Sequence, residues 1–298
     1  MIRTARAALA AFALVLVVTG PAFAQDRAQE VLAQARAAMG NKGLPTPVTS
    51  LAVAATVRRV VPGLGMEMNS DVQLEFLFPD KYRRTENISI GPVTRTVSLG
   101  LNGDDLLYDD GGAAAMTGLD PKAPGPMRDQ TIKGLKEDVF RMVTILLLAP
   151  PANLNCTLTS AGVAEAPDGK ADVVDVKGPD TLNLRLFFDT ASHRLLLATF
   201  QTESLDADQV KALTEKAMER AKADPPNAAK VAQEMREETE KMPKKTITVQ
   251  MHFSDPKTFS GVTLPSKMSV EGGPQGVEEW TFSSLKLNPA LKPERFAK

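Results

Sequence analysis

Residues Ile247–Pro289 read ITVQMHFSDPKTFSGVTLPSKMSVEGGPQGVEEWTFSSLKLNP, and the reading of this stretch decides the fold. Ile247, Val249, Met251 and Phe253 alternate with Thr248, Gln250 and His252, the period-two pattern of a half-buried strand. Asp255-Pro256 and the turn at Ser260-Gly261 are expected to reverse the chain into a second strand around Val262 to Val270. Gly272, Gly273 and Pro274 reverse it again into a third, Glu278 to Leu287. Three consecutive strands with short connections make an antiparallel meander.

Working outward, the same alternation marks further strands. Leu51, Val53, Ala55 and Val57 share one face, as do Val72, Leu74, Phe76 and Phe78. Val93, Val97, Leu99 and Leu101 make a third, and Leu106 to Tyr108 a short fourth after the turn at Asn102-Gly103. A middle sheet is expected from Leu154–Thr159, Asp172–Val176, Thr181–Asp189 and Arg194–Thr202. In its hairpin, Leu182, Leu184, Leu186 and Phe188 should face the same side as Leu196, Ala198 and Phe200.

Helical signals interrupt the strands at three places. Asp26 and Gln29 have capping-box spacing for a helix with Val31, Leu32, Ala35 and Met39 on one face, ended by Gly40. Asp110 to Met127 reads as a loop, and a helix from about Asp129 to Leu148 follows, apolar nearly all round in its second half and stopped by Pro150-Pro151. Asp206 to Lys245 is charged and helical in period, split by Pro225-Pro226, and reads as a helical insertion between strands.

The first residues read as an address. Arg3 and Arg6, the apolar run Ala7–Val18 and the A-x-A site Ala22-Phe23-Ala24 form a secretory signal peptide, residues 1–24, with cleavage between Ala24 and Gln25. The expected product is one domain, residues 25–298, in the periplasm or secreted, with no transmembrane segment, since a span needs about 20 apolar residues. Without Arg3 and Arg6, 33 basic residues (35 − 2) stand against 36 acidic ones, a net charge of −3 that argues against a nucleic-acid partner. Cys156 is the single cysteine and reads as a small buried side chain on a strand with Leu154 and Leu158.

The meander resembles the C-terminal part of the outer-membrane lipoprotein-sorting family of periplasmic carriers (LolA/LolB-like). The matching points are Phe253-Ser254-Asp255, a turn, Gly261-Val262-Thr263-Leu264-Pro265, and a last strand closing on Asn288-Pro289. The hairpin RLFFDTASHRLLLATF (185–200), Pro79 to Arg83, Asn102-Gly103 and the helix end Ala37 to Gly40 resemble further points of that family. The resemblance implies an α+β fold, a curved antiparallel sheet forming an open half-barrel covered by helices, here with the helical insertion at 206–245. It implies a transport role in outer-membrane biogenesis, with acyl chains of a lipid or lipoprotein as cargo.

Acyl binding requires a concave apolar wall and a cover. Candidate wall and cover residues are Phe76, Phe78, Phe140 and Val143, then Leu184, Leu186 and Phe188, then Met251, Phe253, Trp280 and Phe282. Pattern alone leaves two uses for these side chains, wall of a hollow or filling of a closed core. The chain carries two histidines, His193 and His252, and no H-x-x-x-H, C-x-x-C, G-x-S-x-G, P-loop or dinucleotide fingerprint. The expectation is therefore a non-enzyme with no catalytic residue, metal site or cofactor. A second reading on the same fold is an envelope binding or scaffold protein that meets a protein partner through the insertion.

Overall fold

The computed structural model describes residues 13–15, 21–40, 47–60, 67–90, 93–111, 125–166, 169–273 and 276–297. The first part of the chain gives β1 (Ala13–Val15), α1 (Pro21–Ala38), β2 (Ser50–Val60), β3 (Glu67–Leu77), β4 (Lys81–Ile90), β5 (Val93–Asn102) and β6 (Asp105–Asp109). Then come α2 (Pro126–Leu147), β7 (Thr157–Ala166), β8 (Gly169–Lys177), β9 (Asn183–Asp189) and β10 (Leu195–Leu205). The last part gives α3 (Ala207–Ala223), α4 (Ala228–Lys241), β11 (Lys244–Phe259), β12 (Val262–Gly273) and β13 (Gly276–Leu287).

All described strands join one antiparallel sheet in the order β1-β7-β8-β9-β10-β11-β12-β13-β2-β3-β4-β5-β6, whose two edges do not pair with each other. Two meanders, β2 to β6 and β7 to β13, meet where β13 pairs with β2. The fold is thus the expected open, helix-covered antiparallel sheet. One main core joins the inner row of the sheet to α1 and α2. Leu51, Val53, Ala55 and Val57 on β2 and Val72, Leu74 and Phe76 on β3 are buried on that face. α1 contributes Ala28, Val31, Leu32, Ala35 and Met39, and α2 contributes Phe140, Val143 and Ile145 to Leu148. Leu148 adopts a left-handed conformation at the end of α2, and Arg36 Nη2 donates to its carbonyl oxygen at 2.6 Å.

Several expectations need correction. No strand was expected between Phe78 and Val93, yet β4 is a full strand paired along both edges, with β3 and β5. α1 starts at Pro21, five residues before the Asp26 cap, and so runs through the expected cleavage site. The chain does not reverse at Asp255-Pro256: β11 runs on to Phe259, Asp255 takes a positive φ within it, and the reversal is at Ser260-Gly261. In the β9–β10 hairpin a bulge at Leu196 shifts the register, so Leu195 packs in the core while Leu196 is 43% exposed. Cys156 lies before β7 rather than on it, half-buried beside Leu154 and Leu158 against the core. Of the expected loop at 110–127, residues 112–124 lie outside the described residues, as does most of the expected leader.

α3 and α4 form the expected helical insertion. Asp206 caps α3 by accepting from the amides of Asp208 and Gln209, and Lys245 Nζ pairs with its carboxylate at 2.8 Å. The two helices pack on each other through Leu213, Ala217, Val231 and Met235, and Arg220 pairs with Glu234 at 2.6 Å. Leu205 and Lys244, the residues flanking the pair, are themselves a registered pair of β10 and β11. Replacing residues 206–243 by an Asn-Gly turn, the favoured two-residue hairpin connection, should therefore leave one cooperative thermal transition and lower the helical signal in circular dichroism. Non-cooperative unfolding of that variant would show that the helices complete the core.

β4 and β5 approach each other unusually closely at Gly100, where an added Cβ would lie 2.2 Å from the Tyr82 carbonyl oxygen. Gly100→Ala should destabilise the protein by about 1–3 kcal/mol, the usual range for forced overpacking, as read from the urea midpoint. An unchanged midpoint would contradict that approach.

Candidate functional site

β4 alternates Tyr82, Arg84, Glu86 and Ile88 on one face, and this row lines a hollow of about 710 Å³ between the sheet and the middle of α2, Leu135 to Met142. Charged residues on the inner face of a sheet must be paired, because an isolated buried charge costs far more than an apolar side chain gains. Here they are. Arg59 of β2 donates from Nη1 to Glu86 Oε1 and from Nε to Glu278 Oε1, the latter at 2.8 Å. Ser70 of β3 donates to Glu86 Oε1 at 2.7 Å, Arg84 Nη2 to Glu86 Oε2 at 2.8 Å, and Trp280 Nε1 to Glu278 Oε2 at 2.7 Å. The Arg84 guanidinium lies over the Trp280 ring, 5.4 Å from its centroid.

The network spans four neighbouring strands, β13, β2, β3 and β4. Burial alone would raise the Glu86 carboxyl, but the Arg84 charge and the bonds from Arg59 and Ser70 outweigh it and hold the group below its ordinary value. Burial pushes the Tyr82 phenol well above its ordinary value, with Arg84 pulling the other way. It therefore stays protonated, as a hydroxyl.

Apolar walls rise around the ionic row. Leu74 and Leu99 stand on one side, Val249, Met251, Met268 and Val270 on the other, and Leu135 and Met142 of α2 form the roof. Arg141 of α2 stacks on Phe200 at 4.2 Å from its centroid and pairs with Asp138 at 2.9 Å and Glu137 at 3.4 Å. Thr202, Val249, Gly273 and Gly276 also border the hollow, so it lies toward the sheet end at which β10 and β11 meet the helical insertion. A second cavity of about 300 Å³ lies at the opposite end, between the ends of α1 and α2 and the β9–β10 and β11–β12 connections.

The residues expected to form the wall separate into three groups. Met251 and Trp280 border the large hollow, and Phe253 borders the smaller cavity. Phe76, Phe140, Val143, Leu184, Leu186 and Phe188 are buried in the main core between the sheet and the helices. Phe282 is buried there too, 6.2 Å from the Trp280 ring, and Phe78 is half-buried, stacked on Phe76 at 6.3 Å. Sequence reasoning missed Arg59, Tyr82, Arg84, Glu86 and Glu278. The available signal was the alternation of Tyr82, Arg84, Glu86 and Ile88 within a polar ten-residue segment between two strands.

His193 borders the smaller cavity in the β9–β10 turn, and His252 is exposed on β11. Among the described residues no group of three or more His, Cys, Asp or Glu side chains is placed to hold a metal ion. Among them, too, no helix is long and apolar enough to cross a membrane.

No family model matches the chain, and no curated protein matches it. Among solved structures the chain is similar to a LolA superfamily protein, NE2245 from Nitrosomonas europaea, at 13% identity over 91% of this chain and 97% of that one, with a TM-score of 0.49. It is similar to a putative outer membrane lipoprotein-sorting protein domain from Vibrio parahaemolyticus at 9% identity, over 93% and 97% of the two chains, with a TM-score of 0.44. A DUF1329 family protein from Desulfovibrio piger matches at 8% identity, over 92% and 97%, with a TM-score of 0.42. These are likenesses of architecture.

The lowered Glu86 carboxyl has a pH consequence of definite sign. Its ionised form is favoured by folding, so its stabilisation is complete above the ordinary carboxyl value of 4.5 and is lost as the pH falls through the lower folded-state value. Glu86→Gln should cost about 3–5 kcal/mol at neutral pH, because it leaves Arg59 and Arg84 short of a counter-charge. The variant should also show a shallower loss of melting temperature between pH 5 and pH 3, about the range in which carboxylates titrate. Parallel acid melting curves for variant and wild type would remove Glu86 as a contributor.

Proposed function

We propose that the chain is an exported envelope protein that holds acyl chains of a lipid or lipoprotein in the hollow beneath α2. The observation that carries this reading is the hollow of about 710 Å³, walled by Leu, Val and Met side chains and roofed by one helix. Its size falls within the roughly 300–1,000 Å³ of small-ligand sites. Met142, Met251 and Met268 suit a chain of variable path, because methionine adapts its shape to irregular surfaces. Burying a methylene contributes about 0.8 kcal/mol, and micromolar affinity corresponds to about 8 kcal/mol. An inserted tail of about ten carbons therefore reaches that range before the costs of association are subtracted. Export fits this role, and the leader read at residues 1–24 supports it.

A second reading keeps the fold and changes the cargo. Projecting from the sheet and packed on themselves, α3 and α4 offer a surface for an envelope protein partner, with the hollow unused.

Saturable binding of a fluorescent fatty acid or lipopeptide decides between the two. Wild type should take up the probe with micromolar affinity, and Met142→Glu, a charge on the half-buried roof, should weaken uptake about tenfold with little loss of melting temperature, since one buried charge opposes several methylenes of gain. Wild type that binds no acyl probe sinks the carrier reading and leaves the scaffold reading in its place.

A further inference from the structure

The hollow is not uniformly apolar, and its polar corner has an uneven hydrogen-bonding capacity. Six charged side chains border it: Arg59, Arg84 and Arg141 against Asp138, Glu86 and Glu278. The formal charges that border the hollow therefore balance, three against three. Every oxygen of the two network carboxylates already accepts at least one hydrogen bond. Glu86 accepts from Arg59 and Ser70 on one oxygen and from Arg84 on the other, and Glu278 accepts from Arg59 and from Trp280.

The spare capacity is in the donors. A guanidinium carries five N–H groups, and among the described residues Arg84 spends only its Nη2 on a protein acceptor. Its position over Trp280 holds the fork in place. Tyr82 adds a second donor. Its side chain is only 5% exposed and borders the hollow, its ring packs 4.9 Å from Phe76, and its hydroxyl has no hydrogen-bond partner among the described residues. The charges that act on this hydroxyl are those of Arg84, Asp138 and Glu86, which places it in the same corner. The hydroxyl is not among the enclosed side-chain atoms left without a partner, so it opens onto the hollow and can donate to what occupies it.

On the strength of the acyl-binding reading above, we propose that this corner is a headgroup subsite: Arg84 and Tyr82 hold the carboxylate or phosphate of an anionic single-chain amphiphile whose tail lies along Leu74, Met251, Met268 and Met142. Arg84 can turn toward a ligand without orphaning Glu86, because that carboxylate keeps Arg59 and Ser70. Arg84 is thus the cation of the network with the most donors to share, since Arg59 already commits its Nε and Nη1. The apolar walls adjoin this corner, so one molecule reaches both. The geometry selects the head by its acceptors and the tail by its volume.

Calorimetric titration with decanoate, decyl phosphate and methyl decanoate tests the subsite on the full chain. Wild type should bind both anions about tenfold more tightly than the uncharged ester, as expected for charge-assisted hydrogen bonds. Arg84→Met should erase that preference while leaving the affinity for methyl decanoate unchanged. Tyr82→Phe, which removes only a hydroxyl without a protein partner, should lower anion affinity several-fold with no loss of melting temperature, and it keeps the test decisive should Arg84→Met fold poorly. Excess inorganic phosphate should not displace decyl phosphate, since a free ion gains nothing from the walls; efficient displacement would make the corner a site for phosphate itself and overturn the amphiphile. Equal binding of ester and anions by wild type, or an unaltered preference in both variants, overturns the headgroup subsite while acyl binding stands. Binding of none of the three overturns both.

Discussion

Arg59 sits where the two meanders of the sheet are joined, and much else depends on how its charge is satisfied. Glu278 is its registered partner across the β13–β2 seam, and Glu86 reaches it across β3. On the other face of the same seam Arg58 pairs with Glu279 at 2.9 Å. The outer pair is exposed and screened, worth little by itself. The inner network is largely withdrawn from water, where an unpaired member is costly. A slip of one residue along this seam would separate Arg59 from Glu278 and turn Val57 and Trp280 away from the core. The seam joins strands more than 200 positions apart in sequence, so no tight turn sets its register. Charge pairing and the apolar row set it together.

The network also explains why a hollow exists where a core would be expected. α2 is sealed at its C-terminal end, where Val143 and Ile145 to Leu148 are buried and Arg36 fixes the Leu148 carbonyl. Its middle, Leu135 to Met142, spans the region of Arg59, Arg84 and Glu86, whose charged heads do not close-pack against a helix as leucines do. The result is a helix packed at its C-terminal end, tied near its start to Asp104 through Arg128 and Lys136, and standing over a space in between. Arg141 belongs to the same arrangement: its guanidinium lies on Phe200 while its charge is met within its own helix by Asp138 and Glu137.

How much of this was legible follows from the same chemistry. Strands whose inward residues are aliphatic or aromatic, such as Leu51 to Val57 or Ile247 to Phe253, declare themselves by alternation, and both lie where the pattern put them. β4 alternates just as regularly, but its inward row contains Arg84 and Glu86, so a hydrophobicity pattern reads it as solvated chain. The charged half of the candidate site went unseen for that reason, while Met251 and Trp280, carried by apolar strands, were found. Local irregularities were hidden in another way. Nothing in RLLLATF says that Leu196 is the bulged residue, because Leu195, Leu196 and Leu197 are chemically identical and only the register with Phe187 and Phe188 separates them. Likewise Asp255-Pro256 has the composition of a turn, yet β12 continues to pair past it, and the strand bends instead of ending.

The helical insertion shows how an end of such a sheet accommodates change. Leu205 and Lys244 pair as the last rung of β10 and β11, so the ladder is complete whatever joins them. The forty or so residues between them carry their own cap, their own apolar seam and their own ion pair, and they add nothing that the ladder needs. Thr202 and Val249, which border the hollow, are on these same two strands a few residues in from that rung. Length and charge at this connection are therefore free to vary without disturbing Arg59, Glu86 or the apolar walls. The opposite end has no such freedom, since the connections there frame the smaller cavity against Met39 and Leu148, the residues that end α1 and α2. One end of the sheet is thus committed to holding the helices in place, and the other borders the hollow.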